Sequence, residues 1–319
     1  MQSPFRVLSI DGGGIRGIIP ATVLAAIEHR TGRHISELFD LIAGTSTGGI
    51  IALLLTRPAA DGSPEYSASN VIDLYSQHGE QIFSCPLWHT IRSVDDVLEE
   101  KYLPRELEAL LQQYFGSVCL SGALTRVLVP AYEIEIREPW FFRSERAKQQ
   151  PATCDFPMWQ VARATSAAPT YFPPELIEKN PHAWAFIDGG TFANNPGMCA
   201  WAEATRCAPG RDVFLVSLGT GEHTRPIAYA QAKNWGLLGW ARPILDVVFD
   251  GVSKTTDYEL CQLLPRDHYH RFQCSLTLAS DDMDDASPDN IAALLKQAQA
   301  LVNARSADLD RVCAALTEE

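Results

Sequence analysis

The hydrophobic positions of the first 55 residues come in short runs, each followed by glycines and then by a helical stretch. Phe5 to Ile10 reads as a strand leading into Asp11-Gly12-Gly13-Gly14-Ile15-Arg16-Gly17. Pro20 suits the first turn of a helix running to about Arg30, with Gly32 as its stop. Leu41-Ile42-Ala43 is a second short apolar strand. Gly44-Thr45-Ser46-Thr47-Gly48-Gly49 follows it, and Ile50 to Leu55 continues as a buried helix. Strand, glycine turn and helix, twice over, is the alternation of an α/β protein with a mainly parallel central sheet flanked by helices.

Further along, residues 57–70 are loop-like, and Leu107, Leu110, Leu111 and Tyr114 recur at helical spacing over 104–115. Arg126 to Val129 and Ala131 to Ile136 read as two strands. Trp184 to Ile187 and Val213 to Leu218 read as buried strands ending in glycine turns, Asp188-Gly189-Gly190 and Gly219-Thr220-Gly221. Ser287 caps and Pro288 opens a late helix with a core stripe of Ile291, Leu294, Leu295, Ala298 and Leu301. No linker, repeat or low-complexity stretch divides the chain. The expectation is one domain over 1–319, with a core of about 5–221 and a helical extension of about 230–319.

Composition narrows the function. With 26 Lys and Arg against 39 Asp and Glu, the net charge is −13, which excludes the basic footprint of a nucleic-acid binder. The same balance argues against docking on anionic membranes through a basic patch. None of the eight cysteines forms C-x-x-C, so no zinc site is signalled, and they are expected to be mostly reduced and buried. The longest apolar run, Ile50 to Leu55, is too short to span a bilayer, and no basic and apolar leader is present. The expected location is the cytoplasm, peripheral at the membrane if the protein meets lipid.

The chemistry concentrates at Gly44-x-Ser46-x-Gly48. A serine on a strained strand-to-helix turn projects its hydroxyl, and the flanking glycines remove side chains that would clash. The helix after Ser46 directs its positive end at developing negative charge. Gly12, Gly13 and Gly14 at the end of the first strand can supply N–H donors to an oxyanion. Gly12-x-Gly14-x-x-Gly17 also fits a dinucleotide fingerprint, but the acid that should close the next strand is missing; Asp40 precedes it. For the base, His268 and His270 have the chain order of a Ser-His-Asp hydrolase but sit in a polar segment that reads as an exposed loop. Asp188 is preferred: it ends a buried strand, and Gly189 and Gly190 leave room beside it. A free Asp is a poor base at neutral pH, but desolvation raises its pKa. On the residues alone, an Asp-Gly-Gly turn with a capping role stays open. Asp281-Asp282-Met283-Asp284-Asp285 lacks the glycine and glutamate of a calcium loop and reads as a solvated acidic loop. Ile82-Phe83 with Pro86-Leu87-Trp88, and Trp235 to Trp240, are aromatic stretches that either pack in the core or cover an acyl cleft, with Trp88 and Trp235–Trp240 the candidates for bilayer contact.

These residues converge on a family. The chain resembles the patatin-like lipid acyl hydrolases in Ser9-Ile-Asp-Gly-Gly-Gly-Ile-Arg-Gly17, Ala43-Gly-Thr-Ser-Thr-Gly-Gly49, Ala164-Thr-Ser-Ala-Ala-Pro-Thr-Tyr-Phe172, Asp188-Gly-Gly-Thr-Phe-Ala-Asn-Asn-Pro196 and Ser217-Leu-Gly-Thr-Gly221, in family order. The resemblance implies a patatin-like domain, a dyad of Ser46 as nucleophile and Asp188 as proton acceptor, and an oxyanion hole at Gly12 to Gly14. Arg16, Gly17, Gly44, Gly48, Gly189 and Gly190 fall on supporting motif positions. It implies fatty acyl ester hydrolysis of membrane phospholipid or another acyl lipid, without metal or cofactor. Some bacterial proteins of this kind are antiphage effectors switched on by a cyclic nucleotide, and the motifs do not separate that alternative from constitutive lipid turnover.

Overall fold

Short runs, most of them rich in apolar residues, build the middle of the molecule. The structure, a computed structural model, describes residues 3–83, 103–222, 224–240 and 243–318. Its strands are β1 (Phe5–Ile10), β2 (Leu41–Gly44), β3 (Arg126–Glu133), β4 (Glu138–Arg143), β5 (Glu175–Lys179), β6 (His182–Asp188), β7 (Val213–Leu218) and β8 (Tyr269–Phe272). They form one sheet in the order β5-β6-β3-β2-β1-β7-β8, with β4 also paired to β3. Four pairings are parallel, β1–β2, β1–β7, β2–β3 and β7–β8, and three involving β3, β4, β5 and β6 are antiparallel. β2 and β7 are buried along their whole length, as befits strands covered on both faces.

The period of two along β1 divides its side chains between two apolar layers. Leu8 and Ile10 join the larger cluster, with residues of the helices Ile18–Thr31, Thr47–Thr56, Ala68–Phe83, Leu103–Phe115, Met158–Thr165, Pro288–Ala304 and Ser306–Thr317. Phe5 and Val7 join the smaller one, with Ala200 and Ala204 of helix Gly197–Cys207 and Leu260 of helix Pro243–Leu263. The same larger cluster therefore runs from Leu8 to Leu316.

Several expectations need correcting. The two strands read over 126–136 are one strand, β3, which turns back into the unanticipated β4. β3 pairs with β2 up to Leu128 and with β6 from Ala131. Pro130, which has no N–H to donate, stands at the changeover. The stretch expected as a helical extension contains β8, which adds to the sheet beside β7. Of the seven described cysteines, only Cys154 and Cys313 are buried. Among the described residues no helix is long and apolar enough to cross a membrane. Pro86, Leu87 and Trp88, and the side chains of Ile82 and Phe83, lie outside the described residues.

Candidate active site

The antiparallel corner of the sheet is what brings the two chemical ends together. Leu128 of β3 pairs with Ala43 of β2 and with Arg143 of β4. Ala131 pairs with Asp188 of β6 and with Trp140 of β4. A strand residue has one neighbour on each edge, so β2 and β6 share the edge opposite β4. They run toward one another, one parallel and one antiparallel to β3, and their carboxyl ends meet at Pro130. Ser46 follows one end, and Asp188 closes the other.

Ser46 occupies φ 55°, ψ −123°, a strained conformation for a side-chain-bearing residue, at the head of helix Thr47–Thr56. All ten residues of that helix are buried. The turn closes tightly: a Cβ on Gly44 would run into the Gly48 carbonyl, and one on Gly48 into the Ile10 carbonyl. The Ser46 N–H donates to Thr165 Oγ1 at 3.0 Å, and Thr165 Oγ1 donates to the Pro130 carbonyl at 2.6 Å. Thr165 thus fastens the serine turn to the changeover in β3. On the other side, the Asp188 N–H donates to the Ala167 carbonyl at 3.0 Å. One stretch, 165–167, therefore holds both partners.

The Ser46 hydroxyl lies near the Asp188 carboxylate, close enough to oppose the rise of its pKa, and both residues line one cavity. Asp188 Oδ1 accepts the Gly190 N–H at 2.6 Å. Burial pushes the carboxyl from its ordinary 3.8 up to about 7, against the opposing pull of the nearby Ser46 hydroxyl and the Gly190 N–H. Gly189 packs on Pro130, and Gly17 on Thr47 and Tyr75. His268 and His270 do not line the cavity that holds Ser46 and Asp188. His268 lies half-buried in the turn before β8, whereas His270 lies in β8 itself, half-buried against Phe214, with burial holding its pKa down.

The glycine loop is aimed by its carbonyls. The Gly12 carbonyl accepts from Thr220 Oγ1 at 2.7 Å, and the Gly13 carbonyl accepts from Arg16 N at 3.2 Å and Arg16 Nε at 3.3 Å. In a trans peptide the N–H points opposite to the carbonyl. The N–H groups of Gly13 and Gly14 therefore face away from Thr220 and Arg16, and both glycines line the cavity with Ser46. Gly12 differs from the expectation: its N–H is donated to the Asn194 carbonyl at 2.9 Å. Gly14 has φ +59° and abuts the Met283 carbonyl, which accepts the Ile15 N–H at 2.9 Å. A side chain added at Gly12, Gly13 or Gly14 would run into Asn194, Thr220 or Met283 respectively.

That contact overturns the reading of 281–285 as solvated. Asp281 is buried and accepts from Thr224 N, Arg225 N and Arg225 Nε, and its carbonyl accepts from Arg16 Nη1. Met283 is buried, and with Asp284 it lines the cavity. Ser166 and Asn194 add polar groups to the wall, and the remainder is Ile50, Leu107, Ala168, Tyr171, Phe172 and Phe249. Thr165, Asn194 and Thr220 stand inside motifs legible in the sequence, though their roles were not. Phe249 and Met283 carry no motif.

A sequence model of the family described as "Patatin-like phospholipase" matches residues 8–201. Patatin-like protein 2 of Arabidopsis thaliana is 33% identical, the alignment covering 93% of this chain and 82% of that one. A protein of Solanum tuberosum named "Probable inactive patatin-3-Kuras 1" is 31% identical, covering 93% and 86%. Among solved structures, VipD from Legionella pneumophila is similar over 95% of this chain and 67% of its own, with 14% identity and a TM-score of 0.41.

Proposed function

Because the chain belongs to the patatin-like phospholipase family, we propose that it hydrolyses fatty acyl esters of lipids, in the manner of a phospholipase A or lysophospholipase, through a Ser46–Asp188 dyad. One relative is named as inactive, so membership alone does not carry activity. The observation that carries the reading is a serine on a strained strand-to-helix turn and a buried carboxylate, Ser46 and Asp188, together on the wall of one largely apolar cavity.

The chemistry runs in two steps. Asp188 takes the Ser46 proton as the serine oxygen bonds to the ester carbonyl carbon, and the carbonyl oxygen becomes an oxyanion. The N–H groups of Gly13 and Gly14 and the head of helix Thr47–Thr56 meet that charge. Collapse of the intermediate breaks the bond to the leaving alcohol, which takes the proton from Asp188. Water then attacks the acyl-enzyme, again giving its proton to Asp188, and the fatty acid leaves as Ser46 is restored. A carboxyl poised near 7 suits both directions of transfer. The apolar wall of Ile50, Phe172 and Phe249 fits the acyl chain. We also infer that residues 1–319 fold as one patatin-like domain, since one core runs from Leu8 to Leu316.

The test is turnover of a soluble short-chain ester by purified protein, with no nucleotide or metal added. Ser46→Ala and Asp188→Asn should each lose about a thousandfold or more, and together little beyond either alone. Activity lost in His268→Gln/His270→Gln but kept in Asp188→Asn would replace the dyad with a histidine-based site. Activity that appears only with a cyclic nucleotide would make the enzyme a switched one.

A further inference from the structure

The stretch 224–240 is exposed along most of its length, yet it is not polar. Tyr229 is 82% and Leu237 94% exposed, and Ile227, Ile244 and Val247 also face solvent. Trp235 and Trp240 stack edge to face at 5.1 Å, both half-buried. With Ile227, Trp235, Pro243 and Val247 among its lining residues, a groove of about 790 Å³ opens beside this stretch.

The groove and the catalytic cavity share a wall. On helix Pro243–Leu263, Val247 lines the groove and Phe249 the cavity. On the loop that follows β8, Asp282 lines the groove, whereas Met283 and Asp284 line the cavity. An apolar face lying one residue layer from an acyl cavity is placed to hand lipid across it.

Charge selects the kind of lipid. The cations of the groove are engaged: Arg225 binds Asp281 at 3.0 Å and Asp282 at 2.8 Å, and Lys254 binds Asp250 at 2.9 Å. The groove contributes three carboxylates to two cations, on a chain of net charge −13. Such a surface gains nothing from anionic head groups. Tryptophan and tyrosine favour the boundary between head group and acyl chain, and an exposed leucine gains by leaving water.

We propose that Ile227, Tyr229, Trp235, Leu237 and Val247 form the face by which the protein seats on a zwitterionic lipid surface, delivering acyl chains to the cavity behind Phe249. The proposal rests on the lipid-hydrolase reading for its purpose, but it is testable without catalysis. The Ser46→Ala protein is floated with phosphatidylcholine vesicles, with and without added phosphatidylglycerol, at low and high salt. It should bind phosphatidylcholine equally at both salt levels, and phosphatidylglycerol should weaken binding at low salt. Tyr229→Ser/Leu237→Ser should lower vesicle binding about tenfold or more. In the protein with Ser46 intact, the same pair should leave soluble-ester turnover unchanged, since neither side chain is in the cavity wall. Absence of ester turnover with vesicle binding intact would sink the hydrolase reading alone. The face is misassigned if Tyr229→Ser/Leu237→Ser floats like its parent, if binding requires phosphatidylglycerol and is lost with salt, or if the protein is a dimer that these substitutions dissociate.

Discussion

Asp188 carries a burial cost that the proposed mechanism would use. Its carboxyl is pushed from 3.8 to about 7, so it is ready to accept a proton near neutrality. Since the base must be ionised, kcat/KM should rise with pH, reach half its maximum near 7 and level off above. An ordinary histidine titrates close by, so the profile is repeated in His268→Gln/His270→Gln, which should leave it unmoved. A half-maximum near 4 would show that Asp188 is not held as described. The same shift sets a stability effect. Between 3.8 and about 7 the folded state binds a proton that the unfolded state releases, so stability falls as pH rises through that window. Asp188→Asn removes the penalty. In denaturant melts it should exceed the parent above neutral pH, by up to about 4 kcal/mol, and show no such gain in acid below the ordinary carboxyl range. The Ser46 turn and the strand-ending Asp188 were legible in the sequence as structure, because each has glycines beside it. The donors that aim the glycine amides, Thr220 and Arg16, were not legible as such, because their partners are carbonyls that any residue supplies.

At the scale of elements, β2 and β6 stand where strands were expected, β6 less buried than expected, and the way their ends meet was not legible. In a wholly parallel sheet both turns would lie along one edge as a matter of course. Here β6 is antiparallel to β3, and Ser46 reaches Asp188 because β2 and β6 abut end to end at Pro130. Strand direction depends on partners distant in sequence, which hydrophobic patterning does not encode. The same holds for β8, whose polar Tyr-His-Arg-Phe reads as loop until β7 supplies its edge. Thr165 is the fastening of the abutment, so its hydroxyl should matter more than its volume. Thr165→Val leaves the buried Ser46 N–H and Pro130 carbonyl without their partner. It should cost about 1–3 kcal/mol of stability and lower kcat roughly ten- to a hundredfold by letting the nucleophile drift. Thr165→Ser keeps both bonds and should restore most of kcat. If Val and Ser variants lose kcat alike, the threonine matters for packing and not for holding the serine turn.

Over the whole molecule, the last third of the chain completes what the first third begins. Leu294, Leu301, Leu309 and Leu316 share a core with Leu8 and Ile42, and Met283 backs the glycine loop that follows β1. The most direct tie is ionic. Arg271 of β8 reaches past β7 to Asp11, at the end of β1, with Nη1 2.9 Å and Nη2 2.6 Å from its two carboxylate oxygens, and also donates to Ser217 Oγ at 2.8 Å. Asp11 opens the glycine loop, so a strand from the final third is bound to the head of that loop. A pair this deeply placed need not add much net stability, but removing one partner strands the other's charge away from water. Arg271→Met should therefore destabilise by about 3–5 kcal/mol in denaturant melts. Adding Asp11→Asn to it should recover a good part of that loss, because no uncompensated charge remains. Every variant should still unfold in a single transition followed alike by tryptophan fluorescence and circular dichroism, because the core that β8 joins is the one that β1 builds. Additive losses would mean that the pair does not couple the two ends, and a separate early transition in Arg271→Met would mean that the last third folds as a unit of its own.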